Sequence, residues 1–146
     1  MSATGRKIAL LMLLLAAMPA LANEKLVLIA SADSGVEKLD SLEVRKLFLG
    51  LTVTHRGIRL RPLLNESDSQ LKNVFLQNVV SMSDITYDRH ILGMALKQGR
   101  SQPNVYQDSA LLYAAVAGDP SAVSFAWLKD VERLPRLKVL RVLWHD

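Results

Sequence analysis

The chain contains no cysteine among its 146 residues, which excludes disulfides, thiolate metal ligands, a cysteine nucleophile and lipid attachment at an N-terminal cysteine. Histidine is scarce as well. His55, His90 and His145 stand far apart, and none belongs to an H-x-x-x-H or H-E-x-x-H pair that would clamp a metal. Gly-rich phosphate loops of the G-x-G-x-x-G or G-x-x-x-x-G-K-[ST] kind are absent, which removes the usual nucleotide-binding readings. A Gly-x-Ser-x-Gly elbow is missing too, and without one the scattered serines, histidines and aspartates define no catalytic triad. The expectation is a protein without metal or cofactor and without enzymatic activity. No internal repeat, low-complexity tract or linker interrupts the chain.

What is present begins with Arg6 and Lys7, then the unbroken apolar run Ile8 to Met18, then Pro19-Ala20-Leu21-Ala22. Positive charge, apolar stretch, helix break and small residues before a cleavage point make residues 1–22 a signal peptide, cut after Ala22. The apolar run is roughly half the ~20 residues a spanning helix needs, so export is expected rather than anchoring. Residues 23–146 suffice for one compact domain with its own core. Losing Arg6 and Lys7 halves the formal charge of +4, so the basic balance points to no nucleic-acid partner. An exported chain of this size without disulfides relies on core packing, which fits a bacterial periplasm.

The run Lys25 to Ala30 has the length and continuous apolarity of a strand buried on both faces, with helices covering both sides. Ser31 to Gly35 reads as a loop. Asp40 and Glu43 form a capping box for a helix with Leu42, Leu47 and Phe48 on one face and Gly50 as its stop. After a turn at His55-Arg56-Gly57, Ile58 to Leu64 alternates in strand period, with Pro62 indicating an edge or a strand end. Ser67 and Gln70 form a second capping box, opening a helix with Leu71, Val74, Phe75 and Val79 inward. Asp84 caps a third helix carrying Ile85, Ile91, Leu92 and Ala95 and ending near Gly99. Asp108 caps a fourth, with Leu111, Leu112, Ala115 and Val116 inward and Gly118 at its end. Ala122 to Trp127 and Leu137 to Leu143 close the chain as strands, Trp144 packing against the last layer. Crossovers long enough to hold helices are compatible with parallel pairing, and the pattern is that of an α/β three-layer domain.

The strand-to-helix junction Leu64 to Gln70 is the best candidate site, because a helix start carries unpaired N–H groups and partial positive charge. Hydroxyls at Ser67 and Ser69 add donors for an oxyanion, and ligands in open α/β sheets lie outside the carboxyl ends of strands. The competing reading is plain capping by Ser67, with Glu66 and Asp68 repelling an anion. Ser31 and Ser34, at the end of the first strand, are placed on the same edge. Arg89, early in the third helix, is either a surface partner of Asp84 or Asp88 or a contact for an anion or partner protein.

Four segments, in order, resemble the phosphate ABC transporter substrate-binding proteins. Ser41 to Gly50 is similar to that family's helix ending in Phe-Leu-Gly. Ile58 to Phe75 follows its strand, serine-bearing loop and helix. Tyr87-Asp88-Arg89-His90-Ile91-Leu92-Gly93 resembles its aromatic-x-Arg-x-x-Phe-x-Gly stretch, and Gly-Asp-Pro-Ser-Ala-Val-Ser-Phe, within Val116 to Trp127, resembles its Asn-Pro-Gly-Ala-Ile-Gly-Tyr-Val segment. Glu66-Ser67-Asp68-Ser69 stands where the family has a Gly-Ser-Gly-Thr type loop, and Ser124 where it has a glycine. The resemblance implies a three-layer, periplasmic-binding-protein-like single lobe over residues 23–146, with a mixed, mostly parallel sheet. It implies a periplasmic binding module for phosphate or a related small oxyanion, held through Ser67, Ser69, Ser31, Ser34 and Arg89, and linked to an inner-membrane transporter or sensor. The alternative is a periplasmic accessory protein that binds partners and no small molecule.

Overall fold

The computed structural model describes residues 23–146, so the signal-peptide reading of residues 1–22 lies outside the described residues. The apolar run near the start forms β1 (Lys25–Ser31), buried at every position after Lys25. Around it are α1 (Ser41–Phe48), β2 (Thr54–His55), β3 (Ile58–Arg59), β4 (Arg61–Asn65) and α2 (Ser69–Phe75). A π-helical turn, Leu76–Val80, prolongs α2. Then follow α3 (Asp84–Gln98), β5 (Asn104–Tyr106), α4 (Ser109–Ala117), β6 (Ala122–Trp127), α5 (Leu128–Val131) and β7 (Leu137–His145).

Five strands form one sheet in the order β5-β4-β6-β1-β7. β4 runs parallel to β5 and to β6, whereas β1 is antiparallel to both β6 and β7. Four strands therefore share a direction and β1 alone opposes them, so the sheet is mixed and mostly parallel. Alternation along β1 sends Leu26 and Leu28 into the layer of α1, α2 and α3, and Val27 and Ile29 into the layer of α4 and α5. Three layers result, as expected for a strand that is apolar on both faces.

The larger layer is built on the chain's three phenylalanines. Phe75 and Phe125 stack with centroids 3.7 Å apart, and Phe48 meets Phe75 edge-on at 4.8 Å. The last carbonyls of α1, which no intrahelical N–H reaches, are taken up by α3 and the residues after it. Tyr87 Oη donates to Phe48 O at 2.6 Å, His90 Nε2 lies 2.8 Å from Leu49 O, and Arg100 Nη1 donates to Gly50 O at 2.7 Å. Gly50 itself has φ +89°, the left-handed conformation that ends α1.

Several local expectations are corrected. In α1 the Asp40–Glu43 capping box forms as read, but Val44, Leu47 and Phe48 make the inward face, and Leu42, two residues off that stripe, is exposed. α2 is capped by Asp68 and not by Ser67, and α3 by Ser83 and not by Asp84. On α3 the pair Tyr87 and Ile91, one turn apart, is buried, which turns Ile85 and Leu92 outward. On α4 Leu112 and Val116 form the same kind of pair, leaving Leu111 exposed.

The strand expected over Ile58 to Leu64 is broken at Leu60. Its first part folds back on β2 through Arg56 (φ 50°) and Gly57 (φ 77°), the two positive angles a tight hairpin turn requires. Its second part enters the main sheet as β4, an interior strand and not an edge. Pro62 is tolerated there because pairing with β5 starts only at Leu63. The short elements β5 and α5 carry no pattern that sets them apart from loops.

Candidate functional site

The loop between β4 and α2 lies at the carboxyl ends of β4, β5 and β6. Its anchor is Asn65, the last residue of β4 and fully buried. Asn65 Nδ2 donates to Phe125 O at 2.9 Å, and Oδ1 accepts from Ser67 N at 3.1 Å and Ser67 Oγ at 2.5 Å. An amide at a strand end holds the following turn in this way while keeping its own polar atoms paired. Glu66 N donates to Tyr106 O at 2.8 Å, tying the loop to β5.

Asp68 organises the helix start. Its Oδ1 accepts from Gln70 N at 2.9 Å and Leu71 N at 3.2 Å, and its Oδ2 from Trp127 Nε1 at 3.0 Å. Burial alone pushes this carboxyl up, but the bonds from Trp127, Leu71 and Gln70 and the Lys129 charge outweigh it and hold Asp68 below its ordinary value. The amides an incoming oxyanion would use are thus already bound to a resident carboxylate. Ser67 and Ser69 are exposed residues of the loop, the Ser67 hydroxyl being engaged by Asn65.

Beside the loop, Lys72 bridges Glu66 and Asp84, the latter at 2.9 Å, with its side chain only 12% exposed. Burial pushes the Lys72 ammonium down, yet its bonds to Asp84 and Glu66 prevail and raise it. This bridge fastens the start of α3 to the start of α2. On the other side of Asp68, a cavity of about 410 Å³ is lined by Trp127, Lys129, Lys25 and Glu24. Lys129 Nζ pairs there with Glu24 at 2.7 Å.

The five candidate residues do not converge: Ser67 and Ser69 share one loop, and Ser31 and Ser34 share another, with Ser34 N donating to Ser31 O at 3.0 Å. Because β1 opposes its neighbours, Ser31 pairs with Leu137 at the start of β7, at the end of the sheet away from the serine loop. The expectation of a shared edge is corrected by that reversal. Ser31 Oγ donates to Ala117 O at 3.1 Å and accepts from Asp33 N, and Ser34 Oγ accepts from Val36 N at 3.2 Å. Arg89 is exposed on α3 and makes no ion pair or side-chain hydrogen bond among the described residues. Of the two carboxylates considered for it, Asp84 is held by Lys72, and Asp88 forms no ion pair among the described residues. Asn65, Lys72 and Trp127 escaped the sequence reading. Asn65 carried a signal, a lone amide ending an apolar strand, whereas the Trp127–Asp68 contact spans 59 residues and leaves no trace in spacing. Among the described residues no group of three His, Asp or Glu is placed to hold a metal, and no helix is long and apolar enough to cross a membrane.

A mixed sheet with one reversed strand, helices on both faces and a polar loop at the strand ends is the binding-protein-like fold of ABC phosphate receptors. An ABC-type phosphate transport receptor from Vibrio cholerae superposes with a TM-score of 0.61 at 14% identity, over 82% of this chain and 46% of that one. A substrate-binding protein with bound phosphate from Clostridium perfringens gives 0.62 at 13% identity, over 83% and 46%. PstS from Borrelia burgdorferi gives 0.57 at 12%, over 83% and 48%. The chain thus spans just under half the length of the structures it resembles. No protein-family profile and no curated protein matches its sequence.

Proposed function

We propose that the chain is a periplasmic binding module that takes a small oxyanion of the phosphate class at the β4–α2 loop and acts with an inner-membrane transporter or sensor. The observation that carries this reading is the pair of exposed serines, Ser67 and Ser69, at the carboxyl end of β4, in a fold shared with a phosphate-loaded protein. Asp68 sets the affinity. Its carboxylate occupies the helix-start amides and repels an incoming anion, so capture by the native loop is weak. Export through residues 1–22 places the module where such ions arrive from outside the cell.

Asp68→Asn tests this directly, since asparagine keeps the helix cap and removes the charge. Titration calorimetry with phosphate and sulfate should show weak binding by the native chain and at least tenfold tighter binding by the variant, lost again in Ser67→Ala/Ser69→Ala. If neither form yields heat or a rise in Tm with either anion, the oxyanion reading is wrong. The second reading, an interaction module with no small ligand, is favoured by the same Asp68 contacts, because they leave the helix start already neutralised.

A further inference from the structure

At the amino end of β4, away from the serine loop, a cleft of about 870 Å³ lies between the β2–β3 hairpin, the end of α3 and the start of β5. Three guanidinium groups line it, those of Arg59, Arg61 and Arg100, and none of its lining residues is acidic. Arg100 is fixed by Nη1 donating to Gly50 O at 2.7 Å and Nε donating to Gln98 Oε1 at 3.0 Å. Both acceptors are neutral, so its charge stays uncompensated. Arg61 Nε pairs with Asp119 at 3.1 Å from an exposed position, an arrangement that water screens strongly. Arg59 has no ion pair or side-chain hydrogen bond among the described residues.

Size and lining narrow the occupant. The volume falls in the ~300–1,000 Å³ range of sites that enclose a ligand much larger than a tetrahedral oxyanion. Leu51, 41% exposed, and the prolines Pro62 and Pro103 supply apolar surface beside the cations, Leu60 being buried in the core, and the amides of Gln98, Gln102 and Asn104 offer both donors and acceptors. Amides of that kind suit a peptide backbone, and the cations between apolar walls suit carboxylates interleaved with aliphatic residues. The cleft also runs into β5 through Asn104, and β5 is an edge strand of the sheet, where an extended segment can add by main-chain hydrogen bonds. We propose that this cleft docks an extended acidic segment of a partner protein, with Arg59, Arg61 and Arg100 reading its carboxylates.

The test uses a fluorescein-labelled hexapeptide of alternating glutamate and leucine, followed by anisotropy and by amide-shift mapping on the purified chain. The peptide should bind, shift residues Arg59 to Leu63 and Gln98 to Asn104, and weaken steeply with added salt. Arg59→Gln should weaken it at least tenfold, whereas Ser67→Ala/Ser69→Ala should leave it unchanged. Arg59 is exposed and free of structural bonds, so its replacement is expected to fold, and circular dichroism checks this. Arg61→Gln provides a second variant with the same expected direction. The proposal is overturned by three results: no binding at millimolar peptide, both arginine variants binding as tightly as the native chain, or tripolyphosphate displacing the peptide at lower concentration than a second acidic peptide does. The last outcome marks a simple polyanion site.

Discussion

Asp68 and Lys72 show how much single charged side chains decide in this loop. Lys72 is raised above 10.5 by its two carboxylate partners, so the stability it contributes is complete below that pH and is lost as pH rises through the folded-state value. Asp68 is lowered below 3.8, so its contribution is present above that pH and is lost as pH falls through its folded-state value. Lys72→Met should therefore cost about 1.5–3 kcal/mol at neutral pH, the range for hydrogen bonds to charged groups, and should flatten the loss of Tm above pH 10.5. Thermal unfolding across that range checks it, and an alkaline limb identical in the variant and the native chain would show that the bridge is idle. Asn65 acts differently, with no charge at all. It fixes the turn by pairing both ends of its amide inside the core.

Helix α3 combines a strongly held face with an open one. Tyr87 and Ile91 are buried against α1, while Ile85, Leu92 and Leu96 are exposed on the far side. Ile91→Ala should cost about 2–4 kcal/mol, and Leu96→Gln should stay within about 0.5 kcal/mol, measured by urea denaturation. The same helix explains which parts of the fold were legible in the sequence. Capping residues and glycine stops located the helices to within a residue or two, because those signals act through local backbone bonds. Which stripe faced inward was misread on three helices, since α1, α3 and α4 each carry apolar residues on more than one side and only tertiary contact chooses between them. The serine loop was legible from the strand and helix around it. The separation of Ser31 and Ser34 from it was not, because strand direction depends on partners far away in sequence.

At the scale of the whole molecule, two polar features lie at opposite ends of β4: the serine loop at its carboxyl end and the arginine cleft at its amino end. A ligand at one leaves the other open, so oxyanion titration and peptide titration should be additive. Equal peptide affinity in the presence and absence of saturating phosphate, read by anisotropy, checks this. The placement of β1 has a further consequence for the time course of folding. It is the first strand made, yet it pairs only with β6 and β7, about a hundred residues downstream. Neither edge of that strand can be paired until almost the entire chain has emerged, so loop closure governs the rate. Pulse-labelled refolding should find β1 amides protected together with those of β7, in the slowest phase. A chain that cannot close its own sheet early stays threadable for longer.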